Sequence, residues 1–144
     1  MRFVYPASLT ADVTDGGFVV TFRDLPEAIT QGDTREAALR KAADCLEEAI
    51  ATRIDEEMEI PLPSALLNGE CAVAVPVQTA MKAALYQAVH QAGISKSELA
   101  RRLSVNEKEA RRLLEPRHAR KTASPEHALV ALGQYVVVDV REAA

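Results

Sequence analysis

The stretch Ser95–Glu115, SKSELARRLSVNEKEARRLLE, constrains this chain more than any other, because it reads as two short helices joined by a tight turn. Leu99 and Leu103 fall four apart and Ala110 and Leu113 three apart, so each pair lies on one helical face. Ala100 supplies the small residue needed where such helices touch. Ser95 and Glu98 form a capping box, which starts the first helix at Lys96. The apolar positions leave Asn106, Glu107, Lys108, Arg111, Arg112 and Glu115 on the outward face of the second helix. In a helix-turn-helix unit that is the face turned to the major groove. Arginine pairs bidentately with guanine O6 and N7, and Asn106 suits adenine or a phosphate. Ser95, with the helix start at Lys96, offers N–H donors to a backbone phosphate. Beyond Pro116, which ends the second helix, the run Arg117-His118-Ala119-Arg120-Lys121 is basic and suited to phosphate. Ser104 stands in the turn where glycine is usual.

Charge supports a division of the chain. With 144 residues there is room for one ordinary domain or two small ones, and a net charge of −4 argues against nucleic acid if taken as one number. Split at Val77, residues 1–77 carry 6 Lys/Arg against 14 Asp/Glu, a net −8, and residues 78–144 carry 11 against 7, a net +4. That asymmetry suggests a basic partner for the first half and an acidic one for the second.

Taken in order, residues 2–13 show broken alternation with Pro6, which suits an edge strand. Asp15-Gly16-Gly17 is a hairpin signal. Phe18, Val20 and Phe22 form the aromatic face of a second strand, Asp24-Leu25-Pro26 breaks it, and Ala28–Gln31 makes a third strand ending at Gly32. A helix capped by Asp33 or Thr34 follows, with Leu39, Ala42, Ala43, Leu46, Ala49, Ile50 and Arg53 in 3.6-residue periodicity. The acidic run Asp55, Glu56, Glu57, Glu59 reads as a solvated helix end. Pro61 and Pro63 then stop any helix. Residues 71–77, CAVAVPV, read as a fourth, largely buried strand. Thr79–Ala92 is an Ala-rich helix closed by Gly93, and Ser124 caps another with Pro125 at its first position. Tyr135–Val140 is a β-branched run that finishes the chain as a strand.

Little here supports catalysis. His90, His118 and His127 lack metal-ligand spacing with any cysteine. Cys45 and Cys71 form no CxxC pair and no disulfide framework. Asp12, Asp15, Asp24 and Asp33 are conceivable nuclease ligands, but three sit beside turn residues, where aspartate serves the backbone. No catalytic residue, metal site or cofactor is expected. No signal peptide is visible at the N-terminus, and no apolar run approaches the roughly 20 residues that span a membrane. The cytoplasm is the default compartment.

The run Gly16–Ala42, GGFVVTFRDLPEAITQGDTREAALRKA, with IPLPSA after it, resembles the HicB antitoxins of bacterial toxin–antitoxin pairs. Its carriers are the DLP turn, the TQGDT strand-to-helix junction and the EA pair opening the helix. The C-terminal SKSELARRL and RRLLEPRHA resemble the Cro/repressor-like helix-turn-helix that many members carry. Together the resemblances cover residues 4–144.

The resemblance implies an α+β chain of two domains. Residues 1–77 would be a toxin-binding domain with a partial RNase H-like β-β-β-α-β fold and no working active site. Residues 78–144 would be an all-α helix-turn-helix DNA-binding domain with a short C-terminal strand. The implied partners are a HicA-like small basic ribonuclease toxin, neutralised by the first domain, and the operator DNA of the protein's own operon. Opposite potentials would speed the encounter with the toxin. Asn106, Glu107, Lys108, Arg111 and Arg112 match the family's groove-facing positions; no motif assigns toxin contacts. A homodimer or higher oligomer is expected, since such proteins read two half-sites through two-fold symmetry, and Tyr135–Val140 is its candidate interface. The other expectation from the residues is a stand-alone transcriptional regulator with a ligand-sensing N-terminal domain.

Overall fold

The glycines and caps set the element boundaries. A computed structural model of the chain describes residues 1–117, 124–137, 139, 141 and 142. The order of elements is β1 (Val4–Ala11), β2 (Phe18–Phe22), β3 (Ile29–Gly32), α1 (Arg35–Asp55), β4 (Cys71–Ala74), α2 (Val77–Ala92), α3 (Lys96–Leu103), α4 (Glu107–Leu114) and α5 (Pro125–Ala131). The fold is α+β: a four-stranded antiparallel sheet and five helices among the described residues. Contacts group the chain into two units, Met1–Thr52 with Pro61–Pro76, and Arg53–Ile60 with Val77–Ala143.

In the first unit, Gly16 and Gly17 both take φ +76°, as a tight hairpin requires. The Asp12 carboxylate accepts from the N–H groups of Thr14 and Asp15 at 3.0 and 3.1 Å, so it serves the turn. The sheet order is β3-β2-β1-β4, which corrects the expectation of an edge strand around Pro6: β1 is central. It tolerates the proline because pairing with β2 begins only at Ala7↔Phe22, whereas Pro6 pairs with Ala72 of β4. The missing N–H therefore lies past the end of one ladder.

Tyr5, Ala7, Val20, Phe22 and Val73 of the strands are buried, as are Ala38, Ala42, Leu46 and Ile50 of α1. Thr34 is the cap of α1, its Oγ1 accepting from Ala37 N–H at 3.1 Å. The helix approaches β3 so closely that a Cβ on Gly32 would lie 2.7 Å from Ala38 Cα and nearer still to Ala38 N.

The second unit begins earlier in sequence than Val77. Arg53–Ile60 group with it, and side chains explain why: Tyr86 Oη donates to Met58 O at 2.8 Å and Gln87 Nε2 to Ile60 O at 3.2 Å. The end of α1 is a Schellman turn, with Met58 N–H on Arg53 O at 2.8 Å and Glu57 at φ 55°. Because the acidic run travels with these residues, the charges of the units differ from those of the halves. The first unit has 5 Lys/Arg and 10 Asp/Glu, net −5; the second has 12 and 11, net +1. The core of this unit joins Leu85, Val89, Leu99, Ala100, Leu103, Ala110, Leu113, Ala128 and Leu129.

The expected terminal strand is not formed by the described residues: Tyr135, Val136, Val137 and Asp139 are outside any strand. Val136 packs against the core of the second unit, while Tyr135 and Val137 are exposed. Val138 and Val140, and the basic segment 118–123, lie outside the described residues.

Candidate functional site

The α3–α4 pair is built from local signals. Ser95 Oγ caps α3 by accepting from Glu98 N–H at 3.1 Å, and Asn106 Oδ1 caps α4 by accepting from Glu109 N–H at 2.9 Å. Between the helices lie only Ser104, Val105 and Asn106. Ser104 occupies the left-handed region at φ 55°, ψ 41°. Its N–H bonds Arg101 O at 3.2 Å and that of Val105 bonds Ala100 O at 3.0 Å, a Schellman turn made without glycine. The turn is therefore tight.

The apolar residues of the pair turn inward: Leu99, Ala100, Leu103, Ala110 and Leu113 are buried and Val105 and Leu114 half-buried. Lys108 and Arg111 are exposed, and their side chains make no hydrogen bond or ion pair among the described residues. Arg112 is half-buried, and Glu107 and Glu115 are exposed beside them. Asn106 stands one residue before α4 and commits its side-chain oxygen to the cap. Glu107 accepts from Ser97 Oγ, tying the start of α4 to the first turn of α3. Ser95 and Lys96 are exposed at the N-terminus of α3. They line a cleft of about 360 Å³ with Glu57, Tyr86, His90 and Leu114. Arg117 is half-exposed and pairs with the Asp55 carboxylate. Geometry thus brings Lys108 and Arg111 together on one face, and engages Glu107 and Arg117 with partners inside the unit.

Two features here lie outside the expectations drawn from the sequence. Lys82 of α2 is buried, and its ammonium donates to Leu113 O at 2.7 Å and Arg112 O at 3.0 Å, closing the C-terminal end of α4 where a cation is favoured. Its position three before Leu85 and seven before Val89, on the apolar face, is the signal that marks it. Glu98 turns away from the reciprocal arm of the capping box and binds Arg101 and Arg102 at 2.6 and 3.0 Å. Hydrogen bonds from Arg101 and Arg102 hold its carboxyl down to about 2. Those two arginines of α3 are thereby occupied.

In the first unit the two quoted motifs meet. Asp24 of the DLP turn accepts from Ser64 N–H at 2.8 Å and Ser64 Oγ at 2.6 Å. Burial pushes the Asp24 carboxyl up, but the Ser64 hydrogen bonds and the Arg23 charge outweigh it and leave it below its ordinary value. Tyr5 Oη donates to Pro61 O at 2.8 Å. Among the described residues no group of His, Cys, Asp and Glu is arranged to hold a metal ion, and no helix is long and apolar enough to cross a membrane.

Residues 4–84 match the family model of the HicB-like antitoxin of bacterial toxin–antitoxin systems. Among curated proteins, Antitoxin HicB 2 of Photorhabdus laumondii is 39% identical over 132 residues, 92% of each chain. Antitoxin HicB of Escherichia coli is 38% identical over 130 residues, 90% of this chain and 94% of the relative. Antitoxin HicB of Pseudomonas fluorescens is 33% identical over 129 residues, 89% of this chain and 88% of the relative.

Proposed function

This chain belongs to the HicB-like antitoxin family of bacterial toxin–antitoxin systems, and on that premise we propose that it is an antitoxin that neutralises a HicA-type ribonuclease and represses its own operon. The first unit, read as a partial RNase H-like domain, covers the toxin. The α3–α4 pair, read as a helix-turn-helix, enters the major groove of operator DNA, with α4 as its recognition helix. The observation that carries the DNA reading is the exposed pair Lys108 and Arg111, whose side chains have no partner among the described residues, on the side of α4 opposite buried Ala110 and Leu113.

Within that reading the other residues divide by what already holds them. Asn106 still has its amide nitrogen for a base edge or phosphate, since the cap uses only its oxygen. Arg112 contributes from the flank. Ser95 and Lys96 offer α3's N-terminal N–H groups and an ammonium to the backbone. Glu107 braces the turn through Ser97, and Arg117 reaches phosphate only by leaving Asp55. Two-fold operators call for a dimer, and exposed Tyr135 and Val137 suit its interface.

Fluorescence anisotropy with the protein's own promoter DNA, repeated across salt concentrations, tests the DNA half. Loss of a base contact in Arg111→Ala costs about 1–3 kcal/mol and relaxes sequence preference. Loss of a phosphate contact in Lys108→Ala weakens all sequences alike and flattens the salt slope by about 1. Wild-type affinity in both variants overturns this assignment of α4.

A further inference from the structure

Three large apolar side chains stand exposed on one short loop of the first unit: Leu62 at 77%, Leu66 at 52% and Leu67 at 63%. Exposed leucines on a loose loop would mean little, but this loop is held at several points. Tyr5 fixes Pro61. Asp24 takes both the N–H and the hydroxyl of Ser64. The Arg23 guanidinium donates to Ala65 O and to the Glu70 carboxylate, and Glu70 accepts from Leu67 N–H at 3.1 Å. Pro61 and Pro63 restrict φ on either side of Leu62. The DLP and IPLPSA motifs thus form a clasp that keeps the leucines outward in one arrangement.

We propose that this leucine ridge is the surface on which the basic toxin docks, an inference that rests on the antitoxin reading above. Covering exposed leucine side chains removes apolar surface from water, and a loop already held in one arrangement loses little freedom when it is covered. Charge selects the occupant. The unit that displays the ridge carries a net −5. It attracts a basic protein, repels a second copy of itself and repels the phosphates of a nucleic acid.

Isothermal titration of the 144-residue chain with an active-site-inactivated HicA-type ribonuclease tests this. The triple variant Leu62→Ala/Leu66→Ala/Leu67→Ala is expected to bind about 100-fold more weakly, with operator affinity unchanged. Two single variants guard against misfolding as the cause. Leu66→Lys and Leu66→Glu disturb the loop alike, yet a basic partner should bind the Lys form at least about tenfold more weakly than the Glu form. Unchanged toxin affinity in the triple variant overturns the inference while the antitoxin reading stands. So does unchanged toxin affinity accompanied by a smaller assembly in solution, which would assign the leucines to contacts between copies. Equal losses in the Lys and Glu forms overturn the choice of a basic occupant. Failure of the unaltered chain to bind the toxin removes the antitoxin reading itself, and the inference with it.

Discussion

Replacing Lys82 by methionine separates the support of α4 from its surface chemistry. Methionine keeps most of the apolar stem and removes only the ammonium, which donates to Leu113 O at 2.7 Å and Arg112 O at 3.0 Å. Arg112 O retains the N–H of Glu115 at 3.2 Å, so Leu113 O is the group that suffers most. A hydrogen bond to a charged donor contributes about 1.5–3 kcal/mol, and an unsatisfied buried carbonyl costs about 1–3 kcal/mol. Release of a buried ammonium from its desolvation penalty offsets part of that, leaving a loss of about 2 kcal/mol. Native-state amide exchange by mass spectrometry reads this directly. Peptides covering 107–114 should exchange about 30-fold faster, while those covering 38–50 in the first unit keep their protection. Wild-type exchange across α4 would refute the view that Lys82 closes that helix. Equal acceleration in both units would show that the loss is global rather than local.

Four further outcomes follow from particular contacts. Gly32→Ala pushes a Cβ against the backbone of Ala38 and should destabilise by about 3 kcal/mol, as overpacking against an immovable neighbour does; a urea midpoint equal to wild type would mean that α1 shifts freely from β3. Ser104→Gly relieves a left-handed serine, and after glycine's extra freedom in the unfolded chain is counted it should gain roughly 0.5 kcal/mol; a lowered melting temperature contradicts the tight turn. Asp55→Asn removes the Arg117–Asp55 ion pair and should raise operator affinity a few-fold and steepen its salt slope by up to about 0.9; an unchanged slope removes Arg117 from the DNA contact. Glu98, depressed from 4.5 to about 2, contributes through its arginine pairs above its unfolded pKa, and the contribution is lost as pH falls toward 2; carbon-detected NMR should find it titrating near 2, and a value near 4.5 would refute the pairing with Arg101 and Arg102.

What was legible from sequence was whatever neighbours in the chain decide. Ser95 and Ser124 cap helices through residues three positions away, and the spacing of Leu99, Leu103, Ala110 and Leu113 already states which faces are buried. What was not legible depends on partners distant in sequence. Strand order placed Pro6 in a central strand because β4 adds beyond it, and nothing near Pro6 announces β4. The acidic run after α1 joins the second unit through Tyr86 and Gln87, so dividing the charge at Val77 overstated the contrast between the units. Arg117 looks free in a basic stretch, yet its partner Asp55 is 62 positions away. Tyr135–Val140 has strand propensity, but β-propensity expresses packing against neighbours, and its described residues form no strand.

Division of labour between the two units is tested most directly by one double variant against two targets. Lys108→Ala/Arg111→Ala and the unaltered chain are each titrated into mRNA cleavage by the HicA-type ribonuclease and, in parallel, against the protein's own promoter DNA. Both proteins should stop cleavage at the same molar ratio, while the variant's DNA affinity falls about 100-fold, the effect of two lost contacts. Cleavage that continues in the presence of the unaltered chain, or DNA binding undiminished in the variant, would contradict it.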